Sequence, residues 1–205
     1  MAIELKNREL EDYRTDFSSL KEQARQLSAD ITDEQFAWKP TENKWSVAEC
    51  LEHLNVGGEL VLSALRKAID RGHRDGIVAE PPFTYGFLSR TFPKIMMPSS
   101  RLKMKSFRLY LPAPSAGLEK ETVVAKFLQL QDDFIEQVQR SDGLDLWRIR
   151  VSSPAIRMLR LSLGSWFAVT IAHEKRHLAQ ARRVTQEPEF PMKKPGVGKP
   201  GVAPP

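Results

Sequence analysis

Apolar residues recur along much of this chain at helical intervals. Leu10, Phe17, Leu20, Ala24 and Leu27 are spaced seven, three, four and three apart, with Lys, Glu, Arg and Asp between them. That rhythm predicts one bundle-type helix over residues 4–29, ended by Ser28-Ala29-Asp30. A short helical turn is expected near Thr32 and Asp33, after which Pro40 forces an extended connection. Ser46 followed by Glu49 has the capping-box spacing and opens a second helix, expected to run to Arg71 and to stop at Gly72. Its apolar face is Val47, Leu51, Leu54, Val61, Leu65, Ala68 and Ile69, and Gly57-Gly58 within it suggests close helix approach or room for a ligand. A third helix is predicted from Leu118 to Arg140, ended by Ser141-Asp142-Gly143, and a fourth over residues 162–186.

Between the second and third helices, residues 73–118 lose the period. Pro81, Pro82, Pro93, Pro98, Pro112 and Pro114 punctuate them, and Phe83, Tyr85, Phe87, Leu88, Phe92, Met96 and Met97 are interleaved with basic residues. This much apolar content predicts an ordered connection packed over one end of the domain, with a short helix near 84–92; long ordered loops tend to be functional. Residues 144–162 form a second irregular connection. The best strand candidate is Phe107–Leu111, and it is short. The expected fold is therefore all-α, a four-helix bundle with long connections between helices two and three and helices three and four. The domain is expected to span residues 1–186, and the Pro/Gly/Lys-rich stretch 187–205 to be a flexible tail.

Composition narrows the setting. The 205 residues, 41% hydrophobic, suffice for one domain with a real core. No apolar run is long enough to span a bilayer and no signal-peptide pattern opens the chain. Cys50 is the lone cysteine, which excludes an intrachain disulfide and a Cys-based zinc site. A cytoplasmic protein with no membrane partner is expected. The formal charge of +5 is uneven: Arg71 to Arg108 holds eight Lys/Arg against Asp75 and Glu80. No helix carries a basic stripe with interleaved aromatics, so nucleic acid is not an expected partner. A basic loop of this kind suits an anionic small molecule, with Arg90, Lys94, Arg101, Lys103 and Lys105 as its candidates, although a solvated position is the commoner role for any one of them.

The candidate chemistry lies in the histidines. His173 and His177 stand four apart on the fourth helix, hence on one face and one turn apart. His53 lies beside the apolar stripe of the second helix. Facing helices of a bundle commonly build internal metal sites in this way, and three neutral imidazoles leave a coordination position open. A lone histidine on an apolar face is more often a satisfied core residue, and His73, in a basic loop, is expected to be solvated. His173-Glu174-Lys175-Arg176-His177 also satisfies the H-E-x-x-H pattern of zinc proteases. Against that chemistry, Glu174 lies about 100° from His173 around the helix, and nothing downstream but the poorly placed Glu187 and Glu189 offers a third ligand.

Taken together, Lys39-Pro40, Lys44-Trp45-Ser46-Val47-Ala48-Glu49-Cys50-Leu51-Glu52-His53, Ser153-Pro154, Gly164-Ser165-Trp166 and His173-x-x-x-His177-x-x-Gln180 resemble the DinB-like (YfiT-like) superfamily over residues 5–186. The resemblance implies a four-helix bundle in which His53, His173 and His177 bind a divalent transition metal such as zinc, nickel or iron. It further implies a metal-dependent enzyme, in particular an S-transferase that joins a low-molecular-weight thiol of the bacillithiol or mycothiol type to a small electrophilic substrate. Gln180 would support the ligands or the substrate. Glu49, one turn before His53, would orient that ring or simply cap its helix. The alternatives are a non-catalytic stress-response or binding module with a vestigial metal site, and a metal-dependent hydrolase. A homodimer through helix faces is compatible with the pattern.

Overall fold

The computed structural model describes residues 5–100, 108–156 and 158–192. Four long helices make the body: α1 (Arg8–Ala29), α3 (Val47–Arg74), α5 (Lys120–Arg140) and α6 (Leu163–Val184), with short α2 (Asp33–Ala37) and α4 (Phe87–Met96) between them. The main contacts run α1 to α5, α5 to α3, α3 to α6 and α6 to α1, so the four close a ring around one core. The rhythm read from the chain is the buried seam: Leu10, Phe17, Leu20 and Ala24 are buried in α1, and Phe17 stacks on Phe134 of α5 with ring centroids 5.0 Å apart. No helix among the described residues is long and apolar enough to cross a membrane.

The helix starts obey their sequence signals. The Ser46 hydroxyl accepts from the Glu49 amide at 3.0 Å, and Glu49 Oε2 accepts from the Ser46 amide at 3.0 Å. Thr32 and Gln35 form the same reciprocal cap on α2.

Several boundaries differ from expectation. Helix α3 runs through Gly72 to Arg74. Gly72 is an interior contact, because a Cβ there would lie 2.5 Å from Cδ1 of Ile149; its small size serves packing, not termination. Helix α4 begins at Phe87 rather than 84 and continues through Pro93 to Met96. Packing of Phe92 and Met96 against the body outweighs the proline's local preference. The strand candidate fails where it is described: Arg108–Tyr110 is a turn of 3-10 helix, and Phe107 lies outside the described residues. The strands lie elsewhere. β1 (Arg150–Ser152) pairs antiparallel with β2 (Arg160–Ser162), Val151 opposite Leu161, in a hairpin that leads directly into α6. Three-residue strands are too short for a period-2 signal to show in the sequence.

Residues 187–192, expected in the tail, fold back. Phe190 packs edge-on against Trp38 with centroids 5.5 Å apart, Glu187 pairs with Lys44 at 2.9 Å, and the Gln35 side-chain amide donates to the Pro191 carbonyl at 2.6 Å. Residues 193–205 lie outside the described residues.

Candidate metal centre

His53 reaches the site from the second turn of α3, and His173 and His177 from the middle of α6, which packs on α3. The three rings form a triangle with centroid separations of 5.1, 4.5 and 4.6 Å. One nitrogen of each lies within 4.8 Å of the other two. His53 Nε2 is 3.2 Å from His173 Nε2. Tetrahedral binding with metal–nitrogen bonds of about 2.0–2.1 Å sets ligand nitrogens about 3.3 Å apart, so this pair already has a chelating separation.

The electrostatics favour neutral, metal-ready imidazoles. Burial and then the neighbouring His53 hold the His173 pKa down at about 3. Burial, His173 and His53 hold that of His177 at about 2, opposed by a hydrogen bond with the Gln180 side chain. Burial also lowers that of His53. The Nδ1 proton of His53 is donated to the Tyr110 carbonyl at 2.5 Å, which leaves its Nε2 lone pair facing inward. His177 Nδ1 is buried without a hydrogen-bond partner among the described residues. A buried polar atom left unpaired costs about 1–3 kcal/mol. These observations fit a divalent transition ion held by the three rings, since neutral imidazole is the ligand form.

The residues around the triad divide expectation from observation. Gln180 contacts His177 and lines the cavity beside it. Glu49 does not reach the ring: its two oxygens are taken by the cap and by Lys39 Nζ at 3.0 Å, and His53 has the Tyr110 carbonyl instead. His73 is exposed and donates from Nε2 to the Arg140 carbonyl at 2.7 Å, remote from the site in sequence and structure. Glu174 is buried, with burial raising its pKa to about 8 and the Gln131 amide opposing the shift. It lines the cavity, although its Oε2 has no hydrogen-bond partner among the described residues.

Two contributors were not read as site residues. Trp45 lies across the triad, its ring 4.9 Å from that of His53 and 5.6 Å from that of His177. The Tyr110 carbonyl comes from the long connection after α3. Trp45 left a signal, an aromatic immediately before a capped helix; a backbone carbonyl left none.

The triad opens on a cavity of about 860 Å³. Helix α4 supplies Phe92 and Met96 to its wall, and the hairpin tip supplies Ser153, Ala155, Ile156 and Leu159. Gly57 and Gly58 also line it, and a Cβ on Gly58 would sit 3.3 Å from Leu130 of α5, so that glycine permits close helix approach. Of the basic residues expected to receive an anion, Arg90 and Lys94 point to solvent outside the wall, and Arg101, Lys103 and Lys105 lie outside the described residues. Among the described residues, the cations that reach the cavity are Lys44, Arg176 and Arg183. Cys50 is fully buried, its thiol pushed up to about 12 by burial, and is not part of the wall.

A family model described as the DinB superfamily matches residues 17–181. No curated protein and no solved structure matches the chain.

Proposed function

The chain belongs to the DinB superfamily, and from that premise we propose that it is a divalent-metal-dependent S-transferase, joining a low-molecular-weight thiol to a small electrophile. The observation that carries this reading is the triad itself: three neutral imidazoles with ligand atoms within 4.8 Å, opening on a cavity large enough for two small molecules. His53, His173 and His177 would hold the ion. When bound, such an ion supplies positive charge that lowers the pKa of a thiol and keeps it as the reactive thiolate.

The chain's own residues do the rest. The Tyr110 carbonyl fixes the tautomer of His53, and Trp45 restricts rotation of two of the three rings. The apolar wall of Phe92, Met96, Leu159 and Val169 excludes water from the reacting carbon and limits competing hydrolysis. In the reaction the thiol sulfur forms a bond to carbon, the leaving group departs with the electron pair of the broken bond, and the thiol proton passes to solvent. Cys50 is not the nucleophile, because it is sealed in the core.

The hydrolase alternative is favoured by one observation, the presence of Glu174 in the cavity wall directly after a ligand. The two are separated by assaying loss of a chloro-aromatic electrophile with and without added thiol. A transferase requires the thiol, forms the thioether, and loses activity on chelation. Thiol-independent turnover gives the hydrolase, and no turnover in metal-loaded protein with any thiol sinks both.

A further inference from the structure

The cavity has two chemically different ends, with the triad between them. Helix α6 forms its floor. Trp166 lies seven residues before His173, about 10 Å along the axis, and Arg183 lies six residues after His177, about 9 Å. Toward the Trp166 end the helix itself offers the apolar Val169, and Phe92, Met96 and Leu159 add apolar side chains to the wall. The other end is bounded by the loop before α3, through Asn43 and Lys44, and by Gln180, Arg183 and Glu187.

The charge at the polar end does not cancel. Lys44 is matched by Glu187 at 2.9 Å. Arg176, nearer the middle, donates to the Ile95 carbonyl at 3.2 Å. Arg183 has no ion pair or side-chain hydrogen bond among the described residues, and its side chain is exposed at the cavity wall. Among the described residues at that end, Arg183, with five donors in a planar fork, therefore remains to meet a ligand carboxylate.

We propose that the cavity is directional. Arg183 anchors the carboxylate or other anionic group of the thiol cosubstrate at the polar end, and the carbon skeleton of an apolar electrophile lies at the Trp166 end. The triad stands where the two meet. This assignment rests on the transferase reading for the identity of the ligands, but the charge preference it requires is measured separately. Of the basic residues after α3, the described Arg90 and Lys94 lie outside the wall and do not supply this contact.

The test is isothermal titration calorimetry on the zinc-loaded full chain with N-acetylcysteine, its methyl ester and N-acetylserine. The acid is expected to bind about tenfold more tightly than the ester, the ordinary effect of one charge-assisted hydrogen bond. Arg183→Gln should remove that preference and leave the ester's affinity unchanged. Leu159→Asp, in the apolar part of the wall, should leave the affinity for the acid unchanged. Equal binding of acid and ester, or an Arg183→Gln variant that weakens both alike, overturns the anionic end while the transferase reading stands. Loss of acid binding in Leu159→Asp reverses the direction and overturns the assignment. A lower melting temperature in Arg183→Gln with the acid–ester difference intact would mean that Arg183 serves only the last turn of α6, where cations favour the helix dipole, and overturns it as well. Equal binding of N-acetylcysteine and N-acetylserine sinks the transferase reading instead, because it removes any role for sulfur.

Discussion

His53 donates its Nδ1 proton to the Tyr110 carbonyl at 2.5 Å. A carbonyl only accepts, so the ring must carry its proton on that side, and Nε2 is left as a lone pair 3.2 Å from His173 Nε2. One backbone atom of an irregular connection thus sets the ligand form of a residue on a regular helix. The Tyr110 side chain is tied to the other connection, through hydrogen bonds with Ser153 and Ala155 at the hairpin tip. The two long connections therefore meet over the triad and hold one another in place.

Purified wild-type protein is expected to carry about one divalent ion per chain at a three-histidine site. His53→Ala, His173→Ala and His177→Ala should each lose most of it while keeping a helical circular dichroism spectrum. His73→Ala should lose none, because that ring is bonded to the Arg140 carbonyl. Elemental analysis after dialysis reads the result. Undiminished metal in His177→Ala would remove the triad as the binding site.

Trp45 covers two of the three rings, so it should report on and support metal binding. Trp45→Ala is expected to weaken affinity about tenfold, the lower range for residues that orient ligands, whereas Trp45→Phe retains a stacking ring. Competition with a chromogenic chelator measures both. Equal affinity in all three proteins would reduce Trp45 to a packing residue.

Cys50 should be inert in the native state. Its thiol is fully buried and held at about 12, and only the thiolate reacts appreciably. Ellman's reagent is expected to titrate no thiol in folded protein and one per chain in guanidinium. Cys50→Ala should retain its metal, although the lost packing lowers stability by about 1 kcal/mol. Rapid native labelling would contradict this burial.

Gly164 tests the packing beneath the hairpin. A Cβ there would lie 2.1 Å from the Tyr85 hydroxyl, which donates to Glu9 Oε2 at 2.9 Å. Gly164→Ala must displace the ring and is expected to cost about 1–3 kcal/mol, as overpacking does. Tyr85→Phe should recover part of that loss in the double variant. Denaturant unfolding would show both, and an unchanged midpoint in Gly164→Ala would mean that the ring moves freely.

How much of this was legible follows from what each feature leaves in the chain. Helix α1 announced itself because its buried face is local: Leu10, Phe17, Leu20 and Ala24 mark the seam by spacing alone. The Ser46–Glu49 box was legible for the same reason, since both of its bonds close within four residues. The convergence of His53 on His173 is not local; their shared placement on core-facing stripes and the resemblance of the motifs around them suggested it. Gly72 misled because a glycine needed for contact with Ile149 looks the same in sequence as one that ends a helix. Residues 187–192 carry no period that would mark them as folded, although one aromatic, Phe190, suffices to dock them on Trp38.

The pH dependence of the metal-free protein should carry two opposed signatures. Burial keeps His173 at about 3 and His177 at about 2 in the fold, against about 6.5 when unfolded. The folded state then binds fewer protons than the unfolded state below pH 6.5. Their contribution is therefore fully present above that pH and is lost as pH falls, by up to about 1.4 kcal/mol per pH unit for each ring. Glu174 acts in the opposite sense. Its folded pKa of about 8 exceeds the unfolded value near 4.3, so the folded state binds the extra proton, and that contribution declines as pH rises from about 4.3 to 8. Two histidines outweigh one carboxyl between pH 5 and 6.5, so stability should rise with pH across that window. Above it, stability should fall gently until Glu174 ionises. His173→Gln/His177→Gln should abolish the rise, and Glu174→Gln should abolish the fall. Chemical denaturation of chelator-treated protein at half-unit pH steps measures both limbs, and a profile unaltered by either variant would contradict the burial assigned to these groups.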